Sequence, residues 1–152
     1  MAWVGIAVVL LYAIGSGWWT SREPGWYASL VKPGWQPPDW VFGTIWPLNF
    51  LALAIAAWVV GTAGSRPWPG VFVALLAASS ALALAWAYLF YGPHRLRAAA
   101  LALSVAAVLA CALPVAAWMV SWWVALVLMP YAVWLVVAAS LAWAYTRLNP
   151  AP

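Results

Sequence analysis

The chain has 152 residues, of which 69% are hydrophobic and only 5% are charged. Soluble domains average roughly 45–50% apolar and about 25% charged residues, so we expect this chain to lie in a lipid bilayer. Six Lys and Arg against two Asp and Glu give a net charge of +4, and because these cations are scattered they form no surface for nucleic acid. A single Cys and a single His exclude an intrachain disulfide and a Cys/His zinc cluster.

Long uncharged windows predict five membrane-spanning helices within a single domain covering residues 1–152. A bilayer core of about 30 Å requires about 20 apolar residues per helix. The predicted spans are 2–21, 40–61, 70–91, 98–118 and 122–146. The turn between the last two is placed at Met119–Trp123, because Ser121 lies there among tryptophans typical of a membrane interface. The chain is therefore predicted to be an all-α integral membrane protein, built as a bundle of five transmembrane helices.

The positions of the basic residues predict the orientation of this bundle. With five spans, the loop between spans one and two, the loop between spans three and four, and the C-terminus share one side. That side carries Arg22, Lys32, Arg95, Arg97 and Arg147, whereas the other side carries only Arg66. Because positively charged loops remain in the cytoplasm, we expect an outside N-terminus and a cytoplasmic C-terminus, in what we take to be a bacterial cell membrane.

The segment between spans one and two is rich in aromatic residues and does not resemble a solvated linker. Residues 21–39 read SREPGWYASLVKPGWQPPD, and their four prolines and two glycines disfavour a long helix. We expect this loop to fold back over the helix bundle. Asp39, which follows two prolines, is expected to cap the N-terminus of span two.

The same loop resembles the TspO/MBR family of translocator and tryptophan-rich sensory proteins. The matching pattern is Trp26-Tyr27-x-x-Leu30-x-Lys32-Pro33-x-Trp35-x-Pro37-Pro38-x-Trp40-Val41-Phe42, followed by Trp46. Two later patterns are also similar to family motifs, namely Trp86-x-x-x-Phe90-Tyr91-Gly92 in span three and Pro130-Tyr131-x-x-Trp134-x-x-x-Ala138 in span five. At three sites the residues differ from those that many family members carry, and these sites are Asn49-Phe50, Ala83 and Leu141-Ala142. Hydrogen bonding in the pocket is therefore expected to differ from that of other members.

The resemblance implies a pocket for a flat tetrapyrrole, such as protoporphyrin IX or a haem-like molecule, with porphyrin as ligand and no obligatory cofactor. The expected ligand-binding residues are Trp26, Tyr27, Lys32, Pro33, Trp35, Trp46, Asn49, Phe50, Ala83, Trp86, Phe90, Tyr131, Trp134 and Ala138. Helical spacing places several of them on common faces, although aromatic stripes of this kind are also typical of core packing. Asn49 either bonds a neighbouring helix or faces the cavity.

The charged side chains on the loop side each have two interpretations. Lys32 and Arg22 either meet the carboxylates of a porphyrin or extend to the membrane interface. His94 is expected to face lipid headgroups together with Arg95 and Arg97, and axial ligation of a haem by His94 is the alternative.

Two further features of the later spans have ordinary structural explanations beside their functional ones. Leu141, Tyr145 and Arg147 match a pattern proposed for sterol contact, which is a weak signal and is also typical of a helix end with interfacial anchors. Cys111 in span four is expected to serve packing.

Small residues on span three predict close packing against another helix. They form two series, Ala74/Ala78 and Ala77/Ala81/Ala85, and such series allow helix backbones to approach closely. The resemblance implies a homodimer through this span. Packing within one protomer is the alternative.

The sequence favours a membrane receptor or sensor that binds tetrapyrroles and other flat lipophilic ligands. No acid–base or nucleophilic constellation is present, so enzymatic activity stays open. Some members of the family promote light-dependent porphyrin breakdown, and in that case Trp46 and Trp134 are the candidate catalytic residues, as electron donors. The alternative function is a small transporter of porphyrin, lipid or sterol, although the sequence shows neither internal repeats nor charged residues at the membrane midplane.

Overall fold

A computed structural model describes residues 1–64 and 67–150 of the chain. The helices in these residues are α1 (Ala2–Thr20), α2 (Pro24–Ser29), α3 (Asp39–Thr62), α4 (Trp68–Tyr91), α5 (Leu96–Trp118) and α6 (Trp122–Leu148). Within the described ranges, five of them are long and apolar enough to cross a membrane, and the exception is the short α2. The predicted all-α bundle of five spans, with an aromatic-rich loop between the first two, is thereby confirmed.

The five long helices pack closely because small residues lie where they meet. α5 packs against α4 and α6, and α1 packs against α3 and α4. At Gly61 of α3, an added Cβ would lie 2.5 Å from the backbone nitrogen of Ala2 in α1. Only glycine fits there, so the close approach of α1 to α3 depends on this residue.

The turn between α5 and α6 lies within the segment predicted for it. α5 ends at Trp118 and α6 begins at Trp122, and both indoles are exposed, as expected for anchors at a membrane interface. Cys111 is exposed on the outer surface of α5, so the expectation that it serves packing is wrong. Its neighbour Ala110 occupies the buried face of α5 instead.

Asp39 does not cap span two as expected. Pro38 occupies the cap position, and Asp39 is the first residue of α3, where it makes no capping hydrogen bond with its side chain. The backbone of Pro38 is extended, and the helix begins at Asp39. A capping Asp39 would require the helix to begin one residue later. The Asp39 carboxylate still lies in the first turn, where the helix dipole favours a negative charge.

Candidate ligand cavity

An aromatic cavity lies between α3, α4 and α6, under the loop that joins α1 to α3. Its volume is about 360 Å³, which is within the range of roughly 300–1,000 Å³ typical of ligand pockets. We call it the main cavity. It is lined by Thr20, Tyr27, Gln36, Asp39, Phe42, Trp46, Trp86, Phe90, Tyr91, Trp134, Ala138, Leu141, Ala142 and Tyr145.

Aromatic rings from different helices form the walls of the main cavity. Phe42 of α3 and Trp134 of α6 meet edge to face, with ring centroids 5.3 Å apart. On α4, the rings of Trp86 and Phe90 lie 5.8 Å apart. Contacts of this kind add about 0.5–1.5 kcal/mol each beyond the burial of apolar surface, so they hold the rings in fixed orientations around the cavity.

A cluster of three polar side chains, Tyr27, Gln36 and Tyr145, interrupts this apolar lining. The Gln36 amide nitrogen donates a hydrogen bond of 3.2 Å to the Tyr27 hydroxyl. The Tyr145 hydroxyl contacts both the Tyr27 hydroxyl, at 3.1 Å, and the Gln36 side-chain oxygen. This polar cluster joins the loop to α6 and gives the cavity hydrogen-bonding groups at the side that the loop covers.

Asn149 and His94 make further contacts that hold the loop over the bundle. The Asn149 side chain, just beyond α6, accepts a hydrogen bond of 2.8 Å from the Val31 backbone N–H and donates one of 3.0 Å to the Val31 carbonyl. The Trp26 ring stacks on His94 at 3.9 Å, and His94 Nε2 lies 3.6 Å from a Glu23 carboxylate oxygen. His94 thus contacts the loop. It is exposed together with Arg95 and Arg97, and its position among lipid headgroups stays a prediction.

The structure brings six of the expected binding residues to the main cavity: Tyr27, Trp46, Trp86, Phe90, Trp134 and Ala138. Phe50 and Ala83 line a neighbouring cavity of about 300 Å³ beside α1. Trp46 and Trp86 border both cavities and so form the wall between them.

Other expected residues lie outside both cavities. Asn49 and Tyr131 belong to the buried core behind the cavity walls. The Asn49 amide nitrogen is buried and has no hydrogen-bond partner among the described residues, so neither interpretation of this residue is realised. In the loop, Pro33 is buried and Trp35 is exposed, while Trp26 packs on Phe90 at 5.3 Å.

The basic residues expected to meet ligand carboxylates do not line the main cavity. The Lys32 ammonium lies 4.7 Å from the centroid of the Tyr27 ring, and the Arg22 guanidinium lies 4.8 Å from that of Trp18. Both cations rest on aromatic faces, which attract positive charge. The charged side chain that does line the cavity is Asp39.

Several lining residues are absent from the expected porphyrin-binding set, and some of them had a recognisable signal. Phe42 lies four residues before Trp46, so helical spacing places both on one face of α3. Leu141 and Tyr145 follow Trp134 at helical spacing on α6. They are buried and face the cavity, whereas Arg147 is exposed, so the sterol pattern does not form one continuous surface.

The fold and the cavity define a membrane protein of five spans that encloses an aromatic, ligand-sized cavity under an anchored loop. The family model of TspO/MBR matches residues 3–148. The chain belongs to the TspO/MBR family, as its motifs indicated.

Three relatives illustrate how far this similarity extends. Protein CrtK of Rhodobacter capsulatus is 36% identical over 130 residues, which cover 84% of this chain and 81% of the relative. Tryptophan-rich protein TspO of Chlorobaculum tepidum is 31% identical over 147 residues, which cover 95% and 93%. The human Translocator protein is 32% identical over 126 residues, which cover 82% and 75%.

Proposed function

We propose that this protein is a membrane receptor or sensor that binds tetrapyrroles, such as protoporphyrin IX, and other flat lipophilic ligands in the main cavity. The observation that carries the proposal is the combination of aromatic walls from three helices with one polar cluster. A flat π-system stacks on such rings, while polar groups at its edge meet Tyr27, Gln36 and Tyr145. Pockets of this type, mostly apolar with a few placed polar groups, are typical of small-molecule sites.

The proposal is tested by titrating the full-length protein in detergent with protoporphyrin IX. We expect a saturable shift of the porphyrin absorption band together with quenching of tryptophan fluorescence. A titration without either change would contradict ligand binding.

Porphyrin flux in proteoliposomes separates a receptor from a transporter, because a transporter moves the ligand across the membrane and a receptor only binds it.

Replacing Asp39 with Asn is expected to strengthen the binding of a porphyrin that carries carboxylates. The Asp39 carboxylate lines the cavity and repels a ligand anion by about 1 kcal/mol in a water-like environment, which corresponds to about fivefold in affinity. Equilibrium titration with protoporphyrin IX measures the gain. The dimethyl ester of the same porphyrin, which lacks the anions, should bind both proteins equally.

Glu23→Gln is the matched control for this prediction. Glu23 is the other acidic residue of the chain, and it pairs with His94 instead of lining the main cavity. Equal gains for the two variants would mean that overall charge, and not the position of Asp39, governs the affinity.

We further propose that the protein lies in a bacterial cell membrane with its C-terminus in the cytoplasm. Most of the cations lie near the C-terminal ends of α1, α4 and α6. These ends meet at one end of the bundle, because the loop after α1 contacts His94, which follows α4, and Asn149, which follows α6. Arg66, the cation assigned to the opposite side, lies outside the described residues. A fluorescent protein fused to the C-terminus should fluoresce, and alkaline phosphatase fused there should be inactive. The reverse result would overturn the orientation.

We also propose that α4 forms a homodimer interface. Ala74, Ala78 and Ala81 lie exposed along the outer face of α4, and Ala77 and Ala85 are half-buried beside them. Small exposed residues at this spacing let a second helix approach closely.

Ala78→Trp is therefore expected to convert the detergent-solubilised protein to a monomer with unchanged helicity, because the indole keeps the two helices apart. Cross-linking and light scattering measure the change. Val105→Trp, on the exposed face of α5, is the matched control and should remain dimeric. The same cross-linking pattern for parent and Ala78→Trp would exclude α4 from the interface.

A further inference from the structure

A second, cationic cavity lies at the end of the bundle, outside the main cavity. It is formed between the start of α5 and the last turns of α6, and its volume is about 910 Å³. Three arginines line it, Arg95 and Arg97 from α5 and Arg147 from α6, together with Trp143 and Thr146. We call it the cationic cavity.

The positive charge of this cavity is not neutralised by acids that line it. The chain has two acidic residues. Asp39 lines the main cavity, and Glu23 lies 3.6 Å from His94, which lines the cationic cavity beside the arginines. Three arginines therefore line one space, and the planar forks of their guanidinium groups suit the oxygens of a phosphate.

The backbone at the start of α5 adds to this positive potential. No side chain of the described residues caps the first turn of this 23-residue helix. The N–H groups of Arg97 and Ala98 lie in that turn, and both residues line the cavity. Free N–H groups at a helix start, together with the helix dipole, favour an anion.

The surface beside the cavity indicates that the anion belongs to a lipid. Below Arg97, the side chains of Leu101, Val105 and Val108 are exposed along one face of α5, at the spacing that aligns residues on a helix face. In a membrane, this apolar stripe contacts acyl chains. A phosphate in the cationic cavity is thus directly above a surface suited to the tail of the same molecule.

We infer that the cationic cavity binds the phosphate headgroup of an anionic phospholipid from the surrounding bilayer, with an acyl chain along the exposed stripe of α5. Arg95 and Arg97 contact the phosphate from the α5 side, and Arg147 contacts it from α6. The bound lipid then links the start of α5 to the end of α6. This site is separate from the main cavity and does not depend on the ligand proposed for it.

Native mass spectrometry of the full-length protein tests this inference with phosphatidylglycerol and phosphatidylcholine as probes. We expect the parent protein to retain phosphatidylglycerol in preference to phosphatidylcholine. Each of Arg95→Gln, Arg97→Gln and Arg147→Gln should weaken phosphatidylglycerol binding about fivefold, because a basic residue near an anionic lipid surface contributes an interaction of about that size. The triple variant should lose the preference between the two lipids.

The matched control is the double variant Arg22→Gln/Lys32→Gln, which removes two cations from the same end of the bundle but outside the cavity. It should keep the parent's preference for phosphatidylglycerol. An equal loss in this control, or full retention in the triple variant, would overturn the site. Circular dichroism verifies that each variant is folded. If the triple variant does not fold, the three single variants test the site.

Inorganic phosphate distinguishes the two sources of this anion. An excess of free phosphate should leave bound phosphatidylglycerol in place, since phosphate lacks the acyl chain that contacts α5. Displacement of the lipid by free phosphate would overturn the assignment to a phospholipid. Leu101→Gln should weaken phosphatidylglycerol binding as well, and an unchanged affinity in that variant would contradict the position given to the acyl chain.

Discussion

Replacement of Trp134 by Ala is expected to weaken porphyrin binding by about ten- to a hundredfold, where about 1.4 kcal/mol corresponds to tenfold. The indole is 7% exposed, lines the main cavity and meets Phe42 edge to face. Stacking of a nucleic-acid base on an aromatic side chain contributes about 1–3 kcal/mol, and a porphyrin offers a larger face than a base. Equilibrium titration of the detergent-solubilised protein measures the loss.

Trp134→Phe separates stacking from electron donation. A smaller ring still stacks, so this variant should bind porphyrin more tightly than Trp134→Ala does. Where the parent protein degrades bound porphyrin in light, Trp134→Phe should no longer do so, because a benzene ring is a much poorer electron donor than an indole. Absorbance of the bound porphyrin during illumination measures this loss.

Trp58 provides the matched control on another span. Its indole is 45% exposed and packs on Trp3 on the outer surface of the bundle, away from the main cavity. Trp58→Phe should therefore bind porphyrin as the parent does. If Trp46→Ala and Trp134→Ala both retain the parent's affinity, the ligand does not occupy the main cavity, and the proposed function fails with it.

The architecture could be predicted from the sequence because helices that cross a membrane have a simple pattern of long apolar segments. Apolar windows of sufficient length define the spans, and predicted and observed boundaries differ by only a few residues even at the turn before Trp122. The resemblance to the family identified Trp46, Trp86 and Trp134 as cavity residues, whereas helical spacing alone is equally typical of core packing. Once the helices are placed, their geometry fixes where these three rings lie.

The loop residues were harder to predict because helical periodicity does not determine their positions. Gln36 completes the polar cluster only because Asn149 and His94 hold the loop in one place, and no local pattern indicates these long-range contacts. The charge of Lys32 predicts contact with either a ligand carboxylate or the membrane interface, and no local pattern indicates that its ammonium lies over the ring of Tyr27. The charged residue that lines the cavity is Asp39, and its carboxylate disfavours ligand anions placed beside it.

Filling the main cavity from within should abolish binding altogether. Ala142 of α6 is buried and lines the cavity, so Ala142→Phe places an aromatic ring in the space reserved for the ligand. We expect porphyrin affinity to fall by more than about a hundredfold, or more than about 2.7 kcal/mol. A ring inserted into a packed core destabilises a protein by about 1–3 kcal/mol, but here the cavity of about 360 Å³ accommodates it.

The variant Ala142→Phe should therefore unfold at a temperature close to that of the parent, and this distinguishes a filled cavity from a damaged fold. Val136→Phe, on the exposed face of the same helix, adds the same ring towards lipid and should leave binding intact. Ala142→Ser, which hardly changes the volume, should also bind. Porphyrin binding by Ala142→Phe with parental affinity would show that the ligand lies elsewhere, because the ring and the porphyrin cannot occupy the same space.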